Sequence, residues 1–146
     1  MEELLQADAD ALIALTKIAM DEQAWQFPNL GGRVSIPLQS QDGREFFCLD
    51  CHRGRIDLSK LTHQNRTREV VILVRLDLGG RPHRNPDDQE VPSPHLHLYR
   101  EGFGDRWAFP VPPDRFTNLG NVQQTLADFM DYCNVAVRPQ IQWGLF

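Results

Sequence analysis

The side chains with the most chemistry to offer fall in two short runs, Arg75-Leu76-Asp77 and Pro94-His95-Leu96-His97-Leu98-Tyr99-Arg100. Side chains alternate along a strand, so His95, His97 and Tyr99 share one face while Leu96 and Leu98 take the other. The same alternation sets Arg75 and Asp77 opposite Val74, Leu76 and Leu78. If the two strands are neighbours, Arg75, Asp77, His95, His97 and Tyr99 gather on one sheet face, with His83 and Asp87 of the intervening loop above them. Imidazole titrates near neutrality, so two of them beside a carboxylate, a phenol and a guanidinium supply an acid, a base and an anion stabiliser. That set suits cleavage of a phosphodiester through its adjacent 2′-hydroxyl, without a metal. His95-x-His97 with His83 or Asp77 also offers three ligands for zinc, iron or manganese, although H-x-H is a pattern of low specificity. A solvated strand face beneath a loop is the third, non-chemical reading. Acid–base chemistry is taken forward, with His95, His97, His83, Tyr99 and Asp77 as catalytic candidates, no metal and no cofactor.

These residues need strands to carry them. Glu69 to Leu78 alternates most clearly, and Pro94 to Glu101 and Arg106 to Val111 flank the turn Gly102-Phe103-Gly104-Asp105 as a hairpin. Upstream, Val34, Ile36 and Leu38 alternate with polar residues, and Gln41-Asp42-Gly43 turns into a second strand from Arg44 to about Asp50. Asp57 to Arg68 is polar, and its pattern does not choose between strand and excursion. Gly79 to Pro92 holds two glycines and three prolines and reads as a long loop, a kind of segment often functional. Apolar spacing predicts a helix over the first 26 residues and another from about Asn118 to Cys133, starting at Thr117 or Asn118. The expected fold is α+β: an antiparallel sheet of roughly five to six strands, with an N-terminal and a C-terminal helix packed on one face.

A chain of 146 residues, 41% hydrophobic and 24% charged, fits a single domain over residues 1–146 and excludes disorder. No apolar run approaches the roughly 20 residues of a membrane span, and the start Met1-Glu2-Glu3 is acidic where a secretory signal is basic. The expected location is cytoplasmic, away from membranes. Cys48, Cys51 and Cys133 are an odd set; one C-x-x-C on a strand fits neither a zinc ribbon nor a redox helix, and reads as packing. The net charge of −5 is uneven: residues 1–50 carry 3 basic and 9 acidic side chains, residues 51–106 carry 10 and 8. Arg53, Arg55, Lys60, Arg66 and Arg68 face a single acid, Asp57, in the densest basic stretch, which suits RNA or another polyanion. Arg75 and Arg100 join Arg53, Arg55, Arg66 and Arg68 as substrate-binding candidates. P-loop, G-x-S-x-G and H-E-x-x-H patterns are missing, so nucleotide hydrolysis and serine hydrolase chemistry find no support.

The run from Arg75-x-Asp77-x-Gly79-Gly80 through Pro82-His83-x-Asn85-Pro86-Asp87 to Pro94-His95-x-His97-x-Tyr99-Arg100-Glu101-Gly102 resembles an uncharacterised family of small bacterial and mobile-element proteins. Arg75, Asp77, Gly79, Gly80, His95, His97, Trp107, Phe109 and the Leu126-Ala-Asp-Phe129 step are also similar to the TumE-like toxins of toxin-antitoxin pairs, over about the second half of the chain. The present loop is longer than theirs, and the N-terminal helix has no clear counterpart. The resemblance implies an RNA-directed toxin of a bacterial or prophage defence module, with a cognate antitoxin as partner. The reading from another class is a non-enzymatic inhibitor, anti-CRISPR or other anti-defence protein, that binds a host defence protein.

Overall fold

The computed structural model describes residues 3–57 and 59–144. Helix α1 (Gln6–Ala14) leads into two short strands, β1 (Lys17–Ala19) and β2 (Ala24–Gln26). A meander follows: β3 (Arg33–Ser40), β4 (Phe46–Arg53), β5 (Leu61–Thr67) and β6 (Val71–Leu78). Residues between β6 and the histidine strand form a small hairpin, β7 (His83–Arg84) with β8 (Glu90–Val91). Then come β9 (His95–Leu98), β10 (Ala108–Pro110), helix α2 (Val122–Tyr132), β11 (Val135–Val137) and β12 (Gln140–Gln142).

The expected sheet of five to six antiparallel strands with a long helix at each end is corrected. The protein is mostly sheet; its main sheet has eight strands in the order β10-β9-β6-β5-β4-β3-β1-β11, is mixed because β1 and β11 run parallel, and is accompanied, among the described residues, by only two short helices. A further parallel pair joins β2 to β12. The predicted 26-residue helix stops at Ala14 because Leu15 turns extended (φ −63°, ψ 133°) and Lys17 drives its side chain inward, its amide donating to the Asn134 carbonyl at 2.9 Å. The closing helix is where periodicity placed it, though its cap is Asn121, whose side-chain oxygen accepts from the Gln124 amide at 2.9 Å.

One face of the sheet is apolar. Ile36 and Leu38 from β3, Phe47 and Leu49 from β4, Leu76 from β6 and Leu96 from β9 are buried with Leu12 of α1 and Leu126 and Phe129 of α2. Strand β5 sends a polar set into the same core: His63, Asn65 and Thr67 are buried beside Leu61. His63 Nδ1 lies 3.2 Å from the Cys51 sulfur, its ring is fully enclosed, and burial pushes its pKa down to about 4. The folded protein therefore refuses a proton that the unfolded chain accepts below about pH 6.5, so stability falls as pH drops from 6.5 toward 4. Across that window the loss from this group should reach about 3 kcal/mol. Denaturant unfolding at pH 7 and pH 4 checks this: in His63→Leu that share of the pH dependence should disappear, and an unchanged dependence would refute the assignment.

Candidate functional site

The opposite face of the sheet is polar, and strand pairing sets its residues in rows. Arg33 of β3 sits beside His52 of β4, His52 beside Thr62 of β5, Thr62 beside Asp77 of β6, and Asp77 beside His95 of β9. A second row runs from Asp50 through Gln64 and Arg75 to His97. These residues, except His97, line an open cleft of about 650 Å³ whose walls include Asp57 and Lys60 on one side and the Gly79 to His83 segment on the other. Gly79 and Gly80 both have positive φ (71° and 85°), and a Cβ at Gly79 would meet the Ser59 carbonyl oxygen at 2.7 Å, so glycine is what lets the two walls approach.

His95 Nε2 lies 3.3 Å and His97 Nε2 3.1 Å from the same Asp77 oxygen, Oδ2. His97 is almost fully enclosed (1% exposed), with Nδ1 2.7 Å from the Asp105 carbonyl oxygen, to which it donates. Arg75 braces the group: Nη1 donates to Asp105 at 2.5 Å, Nη2 stands 3.0 Å from His97 Nε2, and Nε lies 3.3 Å from Asp77. Thr62 Oγ1 donates to Asp77 at 3.1 Å. Burial works to raise the Asp77 pKa, but the contact with His97 and the charge of Arg75 outweigh it and hold the carboxyl well below the usual carboxylate range. Burial lowers the His95 pKa, against the opposing pull of Asp77.

His83 arrives from the loop region. The hairpin that carries it is fastened to β10 by Asn85, whose amide donates to the Ala108 carbonyl (3.0 Å) and accepts from the Ala108 amide (2.8 Å). His83 Nε2 donates to the Arg106 carbonyl at 2.7 Å, and its ring centre stands 4.6 Å from that of His97 and 5.8 Å from that of His95. A neutral imidazole carries one donor and one acceptor, so this bond leaves Nδ1 as the basic nitrogen of His83.

Five of the sequence candidates thus meet: Asp77, His95, His97, His83 and Arg75. Tyr99 lies elsewhere, buried in the core with its hydroxyl donating to the Leu4 carbonyl at 2.7 Å. Arg100 stacks on Trp107, its guanidinium 4.8 Å from the ring centre. Arg53 reaches the Pro28 carbonyl, Arg55 lies against Gly31, Arg66 grips Asp50 through two bonds of 2.8 and 3.0 Å, and Arg68 occupies the turn between β5 and β6. The cations lining the cleft are Arg33, Lys60, Arg75 and Arg81. Sequence reasoning passed over Arg33, Arg81, Thr62 and Asp105; the outward phase of β5 would have pointed to Thr62, whereas Asp105 and Arg81 sit in loops whose course no periodicity encodes.

Residues 4–135, which include every member of this cluster, match a family of unknown function (DUF6978). The chain belongs to that family. No curated protein and no solved structure matches it. Among the described residues no helix is long and apolar enough to cross a membrane.

Proposed function

We propose that this member of the family is a toxin-like enzyme that cleaves RNA, with the scissile phosphodiester seated at the end of the cleft where His83 and His95 meet. The observation that carries this reading is the presence of both imidazoles in a cleft that also presents Arg33, Lys60 and Arg81, cations able to hold successive phosphates. His83 is the half-buried imidazole of the cluster and, with Nε2 tied to the Arg106 carbonyl, takes the 2′-hydroxyl proton at Nδ1. The 2′-oxygen attacks phosphorus, the bond to the 5′-oxygen breaks, and that oxygen takes a proton from water. The cleft cations Arg33, Lys60 and Arg81 stabilise the charge that builds on the phosphoryl oxygens. Acid–base roles are expected of His95 and His97 from the sequence, with His83 among the candidates; His83 takes the part of the base because His97 is enclosed, with Nδ1 on the Asp105 carbonyl and Nε2 facing Arg75. The likeness to TumE-like toxins over Arg75, Asp77, Gly79, Gly80, His95 and His97 supports the same substrate and a cognate antitoxin as partner.

The test is product chemistry. Purified protein incubated with an RNA oligonucleotide should release fragments ending in a 2′,3′-cyclic phosphate and a 5′-hydroxyl, and a single 2′-deoxy substitution at the cut site should block cleavage there. Binding of that uncut analogue should weaken steeply with salt. Equal cleavage of DNA, or no cleavage together with normal growth of cells expressing the protein, would remove the reading.

A further inference from the structure

The floor of the cleft brings three potential ligand atoms together, one each from Asp77, His95 and His97. His97 spends its Nδ1 proton on the Asp105 carbonyl, and the group facing Nε2 at 3.0 Å is a guanidinium, which only donates. His97 therefore presents a lone pair at Nε2. Asp77 Oδ2 lies 3.1 Å away, and the cation that now reaches both atoms is the Arg75 guanidinium, through Nη2 and Nε. His95 Nε2 approaches the same oxygen at 3.3 Å, from a ring only 3% exposed. Its Nδ1 is enclosed without a hydrogen bond of good geometry, although the Pro92 carbonyl acts on the ring.

We propose that Asp77, His95 and His97 bind one divalent transition-metal ion, with its remaining coordination positions open to the cleft. Metal–ligand bonds of about 2.0–2.2 Å, at tetrahedral or octahedral angles, space neighbouring donor atoms by about 2.8–3.6 Å. The spacings of the two imidazole nitrogens from Asp77 Oδ2, 3.1 and 3.3 Å, fall inside that range, and the three donor atoms all lie within 4.8 Å of one another. Two imidazoles and one carboxylate suit zinc, manganese, cobalt or iron(II); magnesium and calcium prefer oxygen ligands. The outer contacts are those that orient metal ligands: a carbonyl on the far nitrogen of His97, and Thr62 and Arg75 on Asp77. With Asp77 and Asp105 negative and Arg75 positive, the cluster carries a surplus negative charge that favours a cation. Arg75 gives up its contact with His97 when the ion enters and keeps its ion pair with Asp105.

The catalytic part of the proposal rests on the RNA reading: the ion receives a non-bridging phosphate oxygen and draws off the charge that builds there, while His83 moves the proton. The binding part does not. Protein stripped with chelator is titrated calorimetrically with Zn2+, Mn2+ and Co2+ in turn. At least one ion should bind at one per chain and raise the melting temperature by several degrees, as a ligand selective for the folded state must. Asp77→Asn, which keeps the side-chain shape, and His97→Ala should each weaken binding at least tenfold, with folding checked by circular dichroism, whereas Cys48→Ala should leave it unchanged. Failure of all three ions to bind stoichiometrically, or binding that survives both Asp77→Asn and His97→Ala, would overturn the site. RNA cleavage is scored separately: cleavage without stoichiometric binding overturns the ion and leaves the RNA reading, and binding without cleavage supports the ion and overturns the RNA reading.

Discussion

Replacing His83 with alanine lowers the rate of RNA cleavage by about a hundredfold or more, the usual contribution of a positioned proton-transfer group. The fold should survive, because His83 is half-buried at the mouth of the cleft and its one bond from the ring goes to the Arg106 carbonyl. Free imidazole supplied in solution should enter the space left behind and restore part of the rate. The same addition should do nothing for His97→Ala, where the missing ring was enclosed and tied to Asp105 and Arg75. That contrast separates a proton carrier from a positioning residue. Single-turnover kinetics on a short RNA measure it, and a His83→Ala protein with an unchanged rate would remove the imidazole from the chemistry.

The core of this cluster was readable because its strands alternate without interruption. Arg75 and Asp77 between Val74, Leu76 and Leu78, and His95 and His97 around Leu96, place their polar members on one face whatever the rest of the fold does. The pairing of β6 with β9 then sets Asp77 directly beside His95 and Arg75 beside His97. Strand β5 was not readable, for the opposite reason: its inward positions are His63, Asn65 and Thr67, so its burial pattern is masked by polar residue types that packing tolerates here. The loop between β6 and β9 hid a hairpin for a third reason. Its strands are two residues each, and what holds them is a long-range bond pair from Asn85 to Ala108, which no local pattern encodes. The same limit hid Asp105 and Arg81, since both reach the site through tertiary approach.

Lys17 sits where the expected 26-residue helix gives way to a strand, and it carries the last expected result: Lys17→Met lowers stability by about 3 kcal/mol or more. By helical spacing Lys17 belongs on the solvent side of a long helix. In the folded protein it is completely buried, with Nζ donating to the carbonyls of Ile13 (3.0 Å), Leu15 (2.9 Å) and Cys133 (2.8 Å) and standing 4.7 Å from the centre of the Phe47 ring. Ile13 lies in the last turn of α1 and Cys133 caps α2, so one ammonium closes the negative ends of both helices. Burial pulls its pKa down to about 8, which still leaves it charged at neutral pH. Methionine has similar length and avoids the cost of burying a charge, and that saving often makes an apolar replacement of a buried ion neutral. Here the acceptors are main-chain carbonyls that the substitution cannot remove; Ile13 keeps a bond from the Asn134 side-chain amide at 3.1 Å, whereas Leu15 and Cys133 lose the lysine donor, and each carbonyl left unpaired away from water costs about 1–3 kcal/mol. The unmet acceptors should therefore outweigh the relief of desolvation. For a domain of this size the loss corresponds to a fall in melting temperature of about 6–12 °C. Thermal unfolding followed by circular dichroism at pH 7 reads it directly, and a methionine variant as stable as the parent would mean that the three hydrogen bonds merely repay the desolvation of the ammonium.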